Sequence, residues 1–507
     1  MSNPTKGKVF LIGAGPGQAD LITLRGVRCL KQCDLILYDY LVNPDILQHS
    51  SPEAETICLG SHGRKAWSQE QISKTIVDEA LKGRTVGRLK GGDPIVFARV
   101  AEELDALVDA NIDFEVVPGI TAALAAGSYA GIPITHRDHA SAVALVTGQE
   151  KDGKPDSAID FAALARFPGT LVIYMGVTTA ERWSSELIRN GMKPDTTVAM
   201  IRRCSWPNQQ VIHCRLDEVA ENVTPRAKFP PPVISIVGGV TTLAETLSWF
   251  QKKPLFGQRV LITRPADQAY DLAELVSEQG GDPIVQPAIT IGPPDDWSPV
   301  DDAISRIGEF DWLVFSSANG VRRFMDRLFE LGRDSRAIGS AKLCAIGPRT
   351  SDALCDYGLR CDRLPEEYRA ESLAESLIAD AKGKRFLLLR ASRGREVLAE
   401  TLRAAGGDVT QIVVYTSTDV QAVDDALKNQ LANGEVDWVT VTSSAIAKSL
   451  ASVYGDALKN AKLASISPIT SETLRAQGFE PTVEATEYTT AGVISAMCDH
   501  NAPTSND

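Results

Sequence analysis

The chain has 507 residues, 44% of them hydrophobic and 23% charged, which suits three or four domains and excludes a disordered protein, a collagen or a coiled coil. Lys and Arg number 52 against 65 Asp and Glu, a formal net charge of −13; 25 basic and 28 acidic residues precede residue 251, and 27 and 37 follow. No segment is a basic tract, which argues against a nucleic-acid surface or a polybasic membrane patch. Nine scattered cysteines form no CxxC pair; free thiols in a reducing compartment are expected, with neither a zinc site nor a disulfide framework. No apolar run approaches 18 residues and the first, Val9 to Gly13, is too short for a signal peptide, so the expectation is a cytoplasmic protein with no membrane span.

In chain order, strand-like runs fall at Val9–Ile12, Asp34–Tyr38, Val86–Lys90, Glu115–Val117, Ala142–Thr147, Thr170–Met175, Val198–Ile201 and Val233–Val237. Helical patterns such as Ile72–Leu81 and Val100–Ala110 lie between them. Near-continuous apolar strands alternating with helices predict an α/β architecture. The polar stretch Thr147–Ser157 reads as a loop, an inner domain boundary is expected near Gly131–His139, and Gln251–Gln258 reads as an interdomain linker.

The second half repeats itself. Arg259-Val-Leu-Ile-Thr-Arg-Pro matches Arg385-Phe-Leu-Leu-Leu-Arg-Ala, Gly280-Gly281-Asp282 matches Gly406-Gly407-Asp408, and the run from Asp311 matches that from Asp437, all at one offset of 126. Ala345-Ile-Gly-Pro-Arg-Thr matches Ser465-Ile-Ser-Pro-Ile-Thr at an offset of 120. Two copies are too few for a solenoid, so a two-lobed clamp around a cleft is expected.

Four motifs carry chemistry. Gly13-Ala-Gly-Pro-Gly17 follows the first strand, and Asp39 ends the second. This is superficially a dinucleotide fingerprint, but Pro16 removes a donor and Gln18 stands where the third glycine belongs. Arg88-Leu-Lys-Gly-Gly-Asp-Pro94 frees the backbone at Gly91 and Gly92 and offers Asp93 as an acceptor for an amine or a ribose hydroxyl. Val117-Pro-Gly-Ile-Thr-Ala122 and Gly131-Ile-Pro-Ile-Thr-His-Arg137 complete the set.

Together, in this order, residues 7 to about 240 resemble the uroporphyrinogen-III C-methyltransferases of the tetrapyrrole methylase family. The resemblance implies two α/β domains with S-adenosylmethionine between them, leaving as S-adenosylhomocysteine, and a homodimer formed through this half. It implies cofactor contacts at Pro16, Gly91, Gly92, Asp93, Val96, Thr121, Ala122, Met175 and Cys204, and Asp39 as the proton acceptor. A carboxylate suits that role because methylating a pyrrole carbon creates a cation that must lose a proton; a helix cap or turn carboxylate is the competing role. The chain departs from the family where Gly60-Ser61 replaces Gly-Lys, with His62, Arg64 and Lys65 nearby, where Phe97-Ala98-Arg99-Val100 replaces Phe-Gly-Arg-Gly, where Cys204-Ser205 replaces Gly-Thr, and at Gln18.

Residues of about 255 to 499 resemble uroporphyrinogen-III synthase through Val260–Pro265, Phe315–Val321, Ile346–Thr350, Leu364–Ser372 and Val414–Thr416. That family closes hydroxymethylbilane into a macrocycle with inversion of the last ring. Tyr415 matches its proposed acid, and Arg264, Ser316, Ser317, Asn319, Arg349, Thr350, Arg393, Ser443 and Ser444 are candidate partners for the substrate's carboxylates; helix capping is the competing role for the Ser and Thr residues.

The resulting expectation is a methyltransferase over 1–250, with sub-domains of about 1–135 and 136–250, a linker at 251–258, and a synthase over 259–500. Lobe one of the synthase would comprise about 259–289 and 417–500, lobe two about 290–416, and 501–507 a disordered tail. The expected product is precorrin-2 for sirohaem or cobalamin, made from tetrapyrrole substrates with no metal and no nucleic-acid partner. The rival readings are a C-terminal half that only binds tetrapyrroles, a nicotinamide oxidoreductase, and a methylase acting on a later corrin intermediate, which the Arg88–Pro94 and Gly131–Arg137 motifs disfavour.

Overall fold

The computed structural model describes residues 6–61, 64–65, 67–150, 158–223, 229–394, 396–421 and 423–502. It contains four five-stranded α/β sheets in two units. One comprises residues up to Gln258 with Val276–Asp282 and the last residues from Asn501; the other comprises Arg259–Leu275 and Pro283–His500.

In the first unit, the strands Glu55–Cys58, Leu35–Tyr38, Val86–Lys90, Val9–Gly13 and Phe114–Val117 lie side by side in that order, all parallel. Val9 and Leu11 face a core containing Leu35, Leu37 and Leu107, while Phe10 and Ile12 face the opposite core with Leu30, Ile36 and Leu89. This two-residue alternation between two apolar layers explains why the central strands read as continuous apolar runs. Ser68 and Gln71 form a capping box that starts the helix Gln69–Leu81. The second sheet has the order Gln210–Arg215, Thr197–Arg202, Val233–Val237, Thr170–Tyr174, Val143–Thr147, and only its last pair is parallel.

The segment Gln251–Gln258 is packed rather than free. Leu255 is fully buried, its N–H donates to the Gln279 carbonyl, and Phe250 and Phe256 meet edge to face. Leu255 joins a core, and Phe256 packs half-buried against Phe250. Residues 151–157 of the expected loop and 503–507 of the expected tail lie outside the described residues, whereas Asn501 ends the helix Thr490–Asn501.

In the second unit the repeat is exchanged between lobes. One sheet joins Asp282–Val285 and Arg259–Ile262 to Trp438–Val441, Lys462–Ser465 and Val483–Glu484. The other joins Asp408–Asp419 and Arg385–Ala391 to Trp312–Phe315 and Lys342–Ala345. Each copy's first strands therefore pair with the later strands of the other copy. Ile289–Gly292 completes the second sheet by pairing antiparallel with the end of Asp408–Asp419.

Candidate active site

Three of the four motifs of the first unit, Gly13–Gly17, Arg88–Pro94 and Val117–Ala122, meet at one cleft of about 1480 Å³ at the carboxyl ends of its parallel strands, where α/β sheets commonly bind ligands, whereas no residue of Gly131–Arg137 lines it. All ten residues singled out in this half line it: Pro16, Asp39, Gly91, Gly92, Asp93, Val96, Thr121, Ala122, Met175 and Cys204. Three glycines make the wall possible. A Cβ on Gly119 would stand 2.3 Å from the Gly92 carbonyl oxygen, and one on Gly13 would stand 2.5 Å from the Gly119 nitrogen. Gly15 and Gly92 exchange backbone hydrogen bonds of 3.1 and 2.7 Å.

Asp93 is engaged by backbone. Its two oxygens accept the N–H groups of Ile95 and Gly119, each at 2.9 Å, so it ties the Gly91–Asp93 turn to the next loop. The Tyr174 hydroxyl lies 2.6 Å from the Thr121 hydroxyl and accepts from the Ala123 N–H at 2.9 Å. Gln18 accepts from the Tyr129 hydroxyl at 2.6 Å and donates its N–H to Ser205 at 3.2 Å, joining the first glycine turn to the second sheet's loops. Burial pushes the Cys204 thiol up to about 12, so it is protonated at neutral pH and offers bulk and backbone, not a nucleophile. Phe97, Arg99, Met175 and Arg203 line the cleft with φ of 53°, 54°, 52° and 50°, left-handed conformations that cluster at functional sites.

Asp39 follows the strand Leu35–Tyr38, and its side chain, 33% exposed, accepts from Arg88 Nη2 at 2.6 Å. Behind Arg88 lie Glu103 and Lys90, both nearly solvent-free. Burial, and then Arg88 beside it, hold the Lys90 ammonium below the usual lysine range. The sequence places Arg88 and Lys90 in a motif but assigns no role to them, to Tyr174 or to Glu103. The signal for Glu103 is its place on an apolar helical stripe, three residues after Val100 and four before Leu107. The backbone at Gly60–Ser61 and Arg64–Lys65 forms a short antiparallel pair, and His62 lies outside the described residues.

In the second unit the candidate groups also follow the carboxyl ends of parallel strands: Arg264 after Arg259–Ile262, Ser316 and Ser317 after Trp312–Phe315, Arg349 and Thr350 after Lys342–Ala345, Arg393 after Arg385–Ala391, and Ser443 and Ser444 after Trp438–Val441. Arg264 donates to Gln268 at 2.9 Å, and Gln268 donates to Asn319 at 2.8 Å. Arg349 donates to Thr490. Burial, then the neighbouring Arg349, with Arg322 acting in the same sense, pushes Arg264 down to about 10, against Asp271 and Asp267. Converging guanidinium groups at a lobe junction are a place for an anion.

Tyr415 is 7% exposed and its hydroxyl lies 3.0 Å from that of Ser317. Burial raises the phenol above its usual range, with the Ser317 bond opposing, so it is protonated at neutral pH and able to donate. Ser317 and Ser443 cap helices through the N–H groups of Gly320 and Ile446, Ser316 donates to the Leu389 carbonyl, and Ser444 accepts from Thr473. Thr350 is buried in a helix's first turn. Arg393 pairs with Asp419 at 2.7 Å. Arg322, Gln268 and Thr490 were not anticipated, because only the fold brings them to Arg264 and Arg349.

Among the described residues no group of three or more His, Cys, Asp or Glu is placed to hold a metal ion, and no helix is long and apolar enough to cross a membrane. All nine cysteines are free.

Residues 8–220 match the family model of tetrapyrrole (corrin/porphyrin) methylases and residues 270–495 that of uroporphyrinogen-III synthase HemD. The chain is 35% identical over 441 residues to the porphyrin biosynthesis protein HemD of Ruminiclostridium josui, covering 86% of this chain and 87% of that one. It is 37% identical over 354 residues to the uroporphyrinogen-III C-methyltransferase of Bacillus subtilis, covering 69% and 71%. Among solved structures, the uroporphyrin-III C-methyl transferase of Thermus thermophilus complexed with S-adenyl homocysteine is 38% identical, with a TM-score of 0.41 over 47% of this chain and all of that one. The chain belongs to the tetrapyrrole-biosynthesis enzymes in which a tetrapyrrole methylase is followed by a uroporphyrinogen-III synthase.

Proposed function

We propose that the second unit closes hydroxymethylbilane to uroporphyrinogen III and that the first methylates this product twice to give precorrin-2. The observation that carries the methylation reading is that three separate sequence motifs, Gly13–Gly17, Arg88–Pro94 and Val117–Ala122, line one cleft whose wall holds a partly exposed carboxylate on a buried arginine. The cleft suits S-adenosylmethionine: Gly91 and Gly92 expose backbone, Met175 and Phe97 give apolar surface, and a side chain at Gly13 or Gly119 would drive the supporting loops apart. When bound, S-adenosylmethionine supplies an electrophilic methyl group. Attack by a pyrrole carbon leaves a cationic macrocycle, and Asp39 accepts the proton that this macrocycle must shed.

In the second unit, Arg264, Arg349 and Arg322 take carboxylates of the linear tetrapyrrole and hold its ends together. Proximity and charge carry most of the catalysis; Tyr415 gives its proton to the departing hydroxyl, which leaves as water, and the proton that the pyrroles shed as the ring closes restores the phenol. The enclosure of Tyr415 favours a second reading, in which this half binds tetrapyrroles without transforming them. Hydroxymethylbilane given to the full chain without a methyl donor separates the two: uroporphyrinogen III supports the synthase, and uroporphyrinogen I alone refutes it. The methylation reading is tested by transfer of a labelled methyl group from S-adenosylmethionine to uroporphyrinogen III, and no transfer refutes it. The homodimer implied by the family is part of the same proposal and is checked by sedimentation equilibrium.

A further inference from the structure

We propose that Arg88 is a positioning residue for Asp39, fixed in place by Glu103 and Lys90; the inference rests on the reading of Asp39 as the proton acceptor. Arg88 and Lys90 sit two residues apart on the strand Val86–Lys90, so their side chains leave the same face of the sheet. Glu103 meets both from the helix Val100–Asp109. Arg88, Lys90 and Glu103 are 2%, 2% and 1% exposed.

Every side of the guanidinium is occupied. Its Nε donates to Glu103 Oε1 at 3.2 Å, Nη1 donates to the Leu89 carbonyl at 3.0 Å, and Nη2 donates to Asp39 Oδ1 at 2.6 Å. Glu103 is itself held: Lys90 Nζ donates to its two oxygens at 2.8 and 2.9 Å, and Gln69 Nε2 donates to Oε1 at 3.0 Å. A planar fork clamped on its inner edges has one free direction left, and Asp39 lies in it.

Stability does not require such an arrangement. Apolar residues of similar size serve a core as well or better, because desolvating buried charges offsets most of their attraction. Arg88 and Lys90 reach the wall of the cleft as well, but Asp39 sits at the open end of the network, its side chain 33% exposed against 3% for Arg88. Two cations and two carboxylates balance in charge, so Asp39 completes the network as well as being oriented by it. Arg88 touches no substrate in this account; it sets where the Asp39 carboxylate points when a proton must be taken.

The test uses the full chain with uroporphyrinogen III and S-adenosylmethionine, and compares Arg88→Gln, Asp39→Asn and the double variant. Each is also measured for S-adenosylhomocysteine affinity by calorimetry. Misplacing a reacting group by about 1 Å costs on the order of 100-fold, so Arg88→Gln is expected to lower kcat by roughly 10- to 100-fold. KM and the S-adenosylhomocysteine Kd stay within about twofold, since uniform binding is untouched. The double variant is no slower than Asp39→Asn alone. An unchanged kcat in Arg88→Gln, or losses that multiply in the double variant, overturns the proposal. Should Arg88→Gln fail to fold, Arg88→Met, Lys90→Met and Glu103→Met combined replace the network by apolar bulk, with the same two outcomes. A fully active Asp39→Asn refutes the proton-acceptor reading itself, whereas an inactive Asp39→Asn beside a fully active Arg88→Gln refutes only the positioning.

Discussion

Tyr415→Phe separates chemistry from packing in the second unit. The substitution removes one oxygen from a side chain that is 7% exposed and leaves the ring in its core. The hydroxyl's partner, Ser317 at 3.0 Å, keeps its capping bond to the Gly320 N–H, also at 3.0 Å, so no buried polar atom is stranded. The stability cost is that of one hydrogen bond, about 1 kcal/mol, which lowers the melting temperature of a unit this size by about 2–4 °C. If the phenol donates to the departing hydroxyl, cyclisation falls by about 100-fold or more, and uroporphyrinogen I replaces uroporphyrinogen III. Ser317→Ala breaks the same bond from the other side and also removes a helix cap, costing about 1–2 kcal/mol, yet it leaves the phenol in place. The assay is separation of the two isomers after timed incubation with hydroxymethylbilane, alongside thermal melts. The reasoning is refuted if Tyr415→Phe cyclises at the parent rate, or if Ser317→Ala loses as much activity as Tyr415→Phe.

Gly119→Ala brings a Cβ within 2.3 Å of the Gly92 carbonyl; about 3 kcal/mol of destabilisation and loss of S-adenosylhomocysteine binding are expected by thermal melt and calorimetry. Burial raises the Cys204 thiol from 9.0 to about 12, so the folded state keeps a proton that the unfolded chain sheds: this contribution is present below pH 9 and is lost as pH rises from 9 towards 12. Cys204→Ala therefore shows a shallower fall of melting temperature between pH 9 and 10.5 than the parent, and an equal slope contradicts the assignment. Arg349→Gln removes one of the guanidinium groups that meet near Arg264; KM for hydroxymethylbilane rises roughly 10-fold, as for a lost charge-assisted pair, and the parent's KM rises more steeply with salt than the variant's.

Much of this architecture is legible in residue order. The runs Val9–Gly13 and Val233–Val237 are central strands with apolar layers on both faces, which leaves an unbroken apolar signal. Glu55–Cys58 and Gln210–Arg215 escaped notice because they are edge strands, largely exposed and without that signal. The repeat offset of 126 shows that Arg259–Pro265 and Arg385–Ala391 are equivalent, but equivalence does not say which copy each strand joins. The exchange between lobes arises from long-range pairing, and the expectation of a lobe built from about 259–289 and 417–500 comes from the family resemblance and not from the repeat. In the same way the glycine motifs announce a ligand-facing turn, whereas the Arg88–Glu103 contact joins a strand to the helix that follows it, and a charged residue on an apolar stripe reads as an exception until its partner is known.

The central claim is that one chain carries two successive activities on one molecule. Hydroxymethylbilane and S-adenosylmethionine supplied together to the purified chain, with products followed by absorbance and mass, test it most directly. The account predicts precorrin-2, heavier than uroporphyrinogen III by two CH₂ units, because each methyl group gained is matched by a proton lost. Unmethylated uroporphyrinogen III as the final product, or uroporphyrinogen I alone, contradicts it.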